Sequence, residues 1–327
     1  MATLKERRGS LSEYMLRTPA VGPVIALLVA VVIFSVTTST FFNVDNLSLV
    51  VKQALVIGTL ALGQTLVILT AGIDLANASI MVLGTLIMAK FTLLHHTPGI
   101  VTLIAGIFVA AVLGAVTGSV VTGFRLPPFI VTLGMLTIVT AVGRIYAAGQ
   151  SFPVTDGTLG FLGQSQYLFG QIEISNGMWL MLIMYLAVWY GLTRTAWGKH
   201  VYAVGNDPEA ARLSGIQVRR SLLGVYVIAG VIYGIAAWQA LGRVPNADPN
   251  AFQTGNLDSI TAVVIGGTSL FGGRGSVMGT LVGALIVAVL RSGLTQAGID
   301  QLYQDVATGV LIIVAAGLDR LSRGRQR

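Results

Sequence analysis

The 327-residue chain has no cysteine, which excludes disulfides and thiolate metal sites at the outset. Charge is nearly as scarce: Asp, Glu, Lys and Arg make up 10% of the residues, against 54% hydrophobic ones. A soluble domain carries roughly a quarter charged residues, and a chain this poor in charge cannot cover a water-facing surface. With a mean hydropathy of +0.81, it is an integral membrane protein. The three histidines are His95, His96 and His200, and the adjacent pair reads as a solvated turn. There are four lysines, Lys5, Lys52, Lys90 and Lys199, followed by Glu, Gln, Phe and His. None completes the G-x-x-x-x-G-K-[ST] loop whose lysine reaches nucleotide phosphates.

A net charge of +7 raises nucleic acid as a partner, and the distribution rejects it. Nucleic-acid binders cluster Lys and Arg on one face or arm, whereas here they punctuate apolar runs, as the positive-inside rule requires. Forty glycines stand against nine prolines with no collagen period. In a membrane bundle small residues let helix backbones approach closely, so "GAVTGSVVTG", Gly114 to Gly123, reads as a packing surface.

A helix crossing the hydrocarbon core needs about 20 largely apolar residues. Ten segments qualify, near 20–40, 49–70, 79–94, 99–123, 128–148, 177–193, 221–242, 256–271, 275–292 and 304–318, the third, eighth and tenth being short. The first follows "MATLKERRGSLSEYMLR". It is longer than the ~7–15 residues of a secretory h-region and lacks a cleavage site, so it reads as an uncleaved span. With the N-terminus inside, ten spans return the C-terminus to the same side. The inner segments then hold fifteen of the twenty basic residues, while the outer loop 149–176 holds none. The expectation is therefore an all-α, polytopic membrane helix bundle of about ten transmembrane helices, both termini cytoplasmic, forming a single domain over 1–327.

The longest charged interval, 194–220, falls on the cytoplasmic side of that topology. Within it "NDPEAARLSG" carries the marks of a short helix. Asp207 suits the N-cap, Pro208 the first turn, and Glu209 the positive end of the dipole. Ala210, Ala211, Arg212 and Leu213 are helix formers, Gly215 suits the C-terminal stop, and Ile216 follows it. "LSGIQ" is one letter from the LSGGQ signature of ATP-binding-cassette ATPases, but Ile216 replaces its second glycine and no phosphate loop exists. The chain is not the ATPase. Two readings of the interval stay open on physical grounds: a docking helix for a soluble partner, or a solvated connection whose charges only set topology.

"GNDPEAARLSGI" resembles the EAA-type coupling loop of ABC-importer permeases, specifically the sugar branch that includes ribose, xylose and arabinose permeases. "LTAGIDLANASIMVLGTLIMA", Leu69 to Ala89, is similar to that branch's G-G-I-D-L-S-V-G-S block. "NLDSITAVVIGGTSLFGGRGSVMGTLVGALIVAVLRSGL", Asn256 to Leu294, resembles its C-terminal block. The departures are Ala71 in place of Gly and Ala76-Asn77-Ala78 in place of Ser-Val-Gly. The resemblance implies a permease subunit of an ATP-driven importer in the bacterial cytoplasmic (inner) membrane, translocating a neutral sugar or polyol. It implies Gly205, Asn206, Asp207, Glu209, Ala210, Ala211, Arg212, Gly215 and Ile216 as the ATPase-coupling loop. The implied partners are an ATP-binding-cassette ATPase subunit, which uses the ATP and Mg, a solute-binding protein, and a second permease copy, identical or paralogous. No cofactor is expected on this chain.

Between the second and third spans, Asp74 reads as a gate at the inner mouth or a cap of the next helix, with Asn77 and Ser79 satisfying free amides. Asp258 reads as an N-cap, with its preceding loop shaped by Pro245 and Pro249; that loop and 149–176 alternatively form a landing surface for a binding protein. The runner-up function, a proton- or sodium-coupled polyol carrier, requires embedded acids or half-helix ion sites. Asp74 is the one candidate this reading offers, without a second embedded acid to partner it. An intramembrane enzyme needs a catalytic pair within spans, and none is legible.

Overall fold

The computed structural model describes residues 21–168 and 172–324. The basic residues Lys5, Arg7, Arg8 and Arg17, and Arg325 and Arg327 at the other terminus, lie outside the described residues. The helices in chain order are α1 (Val21–Thr37), α2 (Val44–Leu69), α3 (Asn77–His95), α4 (Gly99–Phe124), α5 (Pro128–Ala147), α6 (Gly157–Gly160), α7 (Asn176–Arg194), α8 (Ala196–Asn206), α9 (Pro208–Leu213), α10 (Val218–Arg243), α11 (Gly255–Ile265), α12 (Val277–Gln296) and α13 (Gln301–Gly324). Each of the ten apolar segments of the sequence falls on one of these helices. Seven of them, α2, α3, α4, α5, α7, α10 and α12, are long and apolar enough to cross a membrane. Gly22–Thr37, Gly255–Ile265 and Gln301–Gly317 are shorter apolar helices.

A helix that is apolar on every side belongs inside a bundle, and α2 occupies that place. Every residue from Ala54 to Leu69 is buried, with α10, α11 and α12 packed around it. The closest helix pair is α4 with α10. Gly114 and Gly118 face Tyr226 and Leu223, while Gly230 and Gly234 face Ala110 and Ile107. A side chain at Gly114 would collide with the Tyr226 carbonyl, so close backbone approach is what glycine provides here. Gly123, in the same sequence pattern, touches nothing. The outward faces of α1, α4, α5, α7 and α13 carry large exposed hydrophobics such as Phe108, Ile145 and Ile313, as lipid contact requires.

Two small antiparallel pairs close one end of the bundle. Strand β1 (Phe152–Pro153) pairs with β4 (Asn246–Ala247), and β2 (Ser165–Leu168) pairs with β3 (Ile172–Ser175). Loop 149–176 is thereby structured, and Lys52 reaches it from α2 through a 2.6 Å ion pair to Glu173.

The eighth segment differs from expectation. Its helix, α11, stops at Ile265 rather than 271 and has 11 residues, about half of what a crossing needs. Gly266 ends it, and Gly267, Gly272, Gly273 and Gly275 follow with positive φ. The apolar average of this stretch conceals a turn, because Thr268 to Gly275 has no helical residue.

Candidate functional site

The first constellation is built on α8 and α9. Asp207 lies between them in extended conformation, and its Oδ1 accepts from the Glu209 and Ala210 amides at 2.9 and 3.0 Å. At the other end the Ile216 amide donates to the Ala211 carbonyl and the Gly215 amide to the Arg212 carbonyl, both at 3.0 Å. This paired closure needs a left-handed residue after the cap, and Gly215 supplies it with φ +85°. Both ends of this six-residue helix are thus closed by its own chain. Arg212 grips Glu209 through Nε and Nη2, and that guanidinium holds the Glu209 carboxyl below the usual carboxylate range.

Orientation distinguishes the two alanines. Ala210 is exposed and Ala211 is 4% exposed, so Ala211 packs inward and does not belong to an outward docking face. The outward face consists of Pro208, Glu209, Ala210, Arg212 and Leu213, with Leu213 76% exposed. Leu213 is an exposed apolar side chain that the sequence reading treated only as a helix former. Its one sequence signal is a leucine closing a short, capped helix. Beside α9, a cleft of about 1270 Å³ is lined by Arg125, Arg212, Arg219 and Arg220.

The base of this arm is locked to the bundle. Gly205 and Asn206 end α8 directly against the glycine-rich turn and the end of α2. A Cβ at Gly205 would collide with the Leu69 carbonyl, and one at Gly273 would meet the Asn206 Cα at 2.8 Å. The Gly273 amide donates to Leu69 O at 3.0 Å, and Tyr202 Oη of α8 donates to Gly275 O at 3.0 Å. Asp319 of α13 accepts from Ser269 Oγ at 2.9 Å and from the Leu270 amide at 3.3 Å. The end of α2, helix α8 and helix α13 therefore all meet at the glycine-rich turn.

The second constellation lies in segment 70–76, after α2, where Thr70, Gly72, Asp74 and Ala76 are buried. Asp74 is 1% exposed, and its Oδ1 accepts from the Ala76 amide at 2.8 Å. The α3 N-cap is Ala76, without a side-chain cap, so Asp74 shapes the turn that precedes the helix and is not its cap. Asn77 does more than satisfy a local amide: its Nδ2 donates to Ser259 Oγ of α11 at 2.7 Å. Ser79 Oγ donates back to the Ala76 carbonyl at 2.8 Å and lines a cavity between α3 and α5. The buried Gln64 amide, oriented to satisfy its neighbours, accepts from the Asp74 amide at 3.2 Å and donates to the Asp74 carbonyl at 3.0 Å. Asn256 Nδ2 donates to Leu75 O at 3.2 Å, and Thr132 Oγ1 to Ile73 O at 2.8 Å. Helices α2, α5 and α11 thus hold this segment together, and Ala71 takes φ +61° at its start.

The third constellation was not legible in sequence. Asp258 is 4% exposed and faces Arg291 of α12, with Nη2 to Oδ1 and Oδ2 distances of 2.7 and 2.9 Å. Arg291 also reaches Asp305 Oδ1 of α13 at 3.2 Å. The N-cap reading of Asp258 is thus corrected to an ion pair, and Asp74 is not the one embedded acid. Helix periodicity could not join residues 33 and 14 positions apart across three helices. Among the described residues, no three His, Asp or Glu side chains converge as a metal site.

Seven membrane-length helices define a multi-pass membrane protein. Residues 46–316 match the family described as branched-chain amino acid transport system / permease component. The fructose import permease protein FrcC of Rhizobium meliloti is 42% identical over 319 residues, covering 96% of this chain and 88% of its own. The ribose import permease protein RbsC of Escherichia coli strain K12 is 37% identical over 301 residues, with 90% and 92% covered. The D-allose transport system permease protein AlsC of the same strain is 33% identical over 303 residues, with 92% and 91% covered. No solved structure matches the chain. The chain belongs to this family of permease components. It is a multi-pass protein of the bacterial inner membrane and a transport subunit, not an enzyme.

Proposed function

We propose that the chain is the membrane-spanning subunit of an ATP-driven importer and translocates a neutral monosaccharide or polyol. Its relatives are named for fructose, ribose and allose. In this reading residues 1–327 form one permease domain of ten crossings with both termini cytoplasmic, α11 and the segment before it together completing one crossing. Segment 194–220 is the coupling loop. A separate ATP-binding-cassette subunit hydrolyses ATP with Mg, an external solute-binding protein delivers the sugar, and a second copy or a paralogue completes the path.

The observation that carries this reading is α9 itself. It is closed at both ends, exposes Leu213 together with the Glu209–Arg212 pair, and stands on a junction with Leu69 and Gly273. ATP binding on the partner draws two such arms together. The junction passes that displacement to the end of α2, to segment 70–76 and to the turn preceding α12. ADP release resets them. The acids Asp258 and Asp305 do not restore an ion-coupled carrier, since both are already paired with Arg291.

The test is reconstitution of the purified chain in lipid with its candidate ATPase. Co-elution and altered ATP hydrolysis, both lost in Glu209→Lys, are the expected result. No association between folded, verified partners contradicts the reading.

A further inference from the structure

The ion cluster does more than tie helices together. Arg291, Asp258 and Asp305 line a cavity of about 980 Å³ that also takes in Arg243 and Asp300, Gln53 from α2, and Phe252 and Gln253 from the segment before α11. Ionisable residues set among apolar helices are costly and often mark substrate or ion paths. Charges of both signs nearly cancel across this lining, so neither an anion nor a cation gains from entering it. What the walls offer is hydrogen bonding. Asp305 Oδ2 and the amides of Gln53 and Gln253 make no hydrogen bond to other described residues.

Phe252 adds a flat apolar wall. It takes φ +53°, a strained conformation for a bulky residue, which accumulates at ligand clamps and switch regions. It also stands between two spaces. On its other side lies a cavity of about 560 Å³ between α3 and α5, whose walls include Val82, Leu83, Leu136 and Val139 and one charged side chain, Arg144. Phe252 and Gln253 line both. A few convergent polar groups set against an aromatic face is the usual composition of a small-molecule site.

We propose that the Asp258–Arg291–Asp305 cavity is a transit site for a neutral monosaccharide, with Phe252 as the face on which the sugar ring lies and as the partition it must pass. This rests on the permease reading above. Carboxylate, guanidinium and amide groups engage the sugar's hydroxyls, and compensated charge keeps the site selective for uncharged polyols. Binding is weak, because Nε and Nη2 of Arg291 are already committed to its own carboxylates.

The absence of cysteine makes the test direct. Asn250 is exposed at the rim of this cavity and Thr137 is exposed in the other. Single variants Asn250→Cys and Thr137→Cys are made in the full permease–ATPase complex in nanodiscs and labelled with a water-soluble maleimide. D-fructose, D-ribose, D-galactose and D-allose are added in turn, with betaine at matched osmolality as the control. The same complexes in proteoliposomes, supplied with the sugar-loaded binding protein, are assayed for ATP-dependent uptake of each sugar. The expected result is slowing of Asn250→Cys labelling by the imported sugar alone, about tenfold at about ten times the half-maximal concentration, with Thr137→Cys labelling unchanged. In Asn250→Cys/Phe252→Ala the protection weakens, and in Asn250→Cys/Phe252→Tyr it persists.

Import without protection at Asn250→Cys, or with protection at Thr137→Cys alone, overturns the site and leaves the permease reading standing. Absence of import of any of the sugars by a complex that hydrolyses ATP, together with absence of protection, overturns both.

Discussion

The Gly273 amide donates to the Leu69 carbonyl at 3.0 Å, joining the end of the central helix to the turn before α12. Gly205 lies over that same carbonyl, with no room for a Cβ. The α8–α9 arm therefore touches both elements at one point. Overpacking a filled site costs about 1–3 kcal/mol, so Gly205→Ala is expected to lower thermal stability in detergent by that amount and to reduce uptake. Gly134→Ala, on α5 with nothing within 4 Å, is expected to be neutral or stabilising by up to ~1 kcal/mol.

The outward face of α9 predicts a separation of folding from transport. Glu209 and Leu213 are exposed, so Glu209→Lys and Leu213→Asp are expected to insert and melt like the parent chain. ATP-driven uptake is expected to fall at least about tenfold, the factor given by about 1.4 kcal/mol of lost docking energy. Ala211→Trp is expected to behave differently, since Ala211 is buried: it disrupts the packing of the arm and lowers the melting temperature as well. Equal melting for all three variants would refute this orientation of α9.

For the ion cluster the prediction is non-additivity. Arg291→Met leaves Asp258 without its cation and is expected to destabilise by about 3–5 kcal/mol, whereas Asp258→Leu/Arg291→Met, which removes the principal pair together, recovers most of that loss. Thermal unfolding of the two single variants and the double variant gives the coupling energy directly.

Asp74 is predicted to act through its oxygen rather than its charge. Asp74→Asn retains an acceptor for the Ala76 amide and is expected to transport at near the parent rate. Asp74→Ala leaves that buried amide unsatisfied, at about 1–3 kcal/mol, and is expected to lose stability and uptake together. A folded Asp74→Asn that does not transport would instead make the carboxylate charge part of a gate.

How much of this was legible depends on the range of the interactions involved. Local rules sufficed for α9: Asp207, Pro208 and Gly215 mark its ends by chemistry that acts within four residues, and the structure has those caps. Apolar runs located the seven membrane-length helices and the three shorter apolar ones, because burial in lipid selects composition over a whole segment. The eighth was overextended, since glycine, threonine and serine keep the average apolar while the backbone turns at Gly266. Which way Ala211 points, and that Arg291 meets Asp258 and Asp305, depends on packing between distant elements. Single residues carry no trace of it: Asp258 alone has the appearance of a cap.

Energy coupling is the central claim, and uptake with gradients collapsed tests it most directly. The permease, its ATPase and a sugar-loaded binding protein are placed in proteoliposomes with a proton and sodium ionophore. The account predicts that labelled sugar accumulates with ATP–Mg supplied to the ATPase side, does not accumulate with a non-hydrolysable analogue, and fails to accumulate in Glu209→Lys. Accumulation that stops with the ionophore while ATP remains high would contradict it.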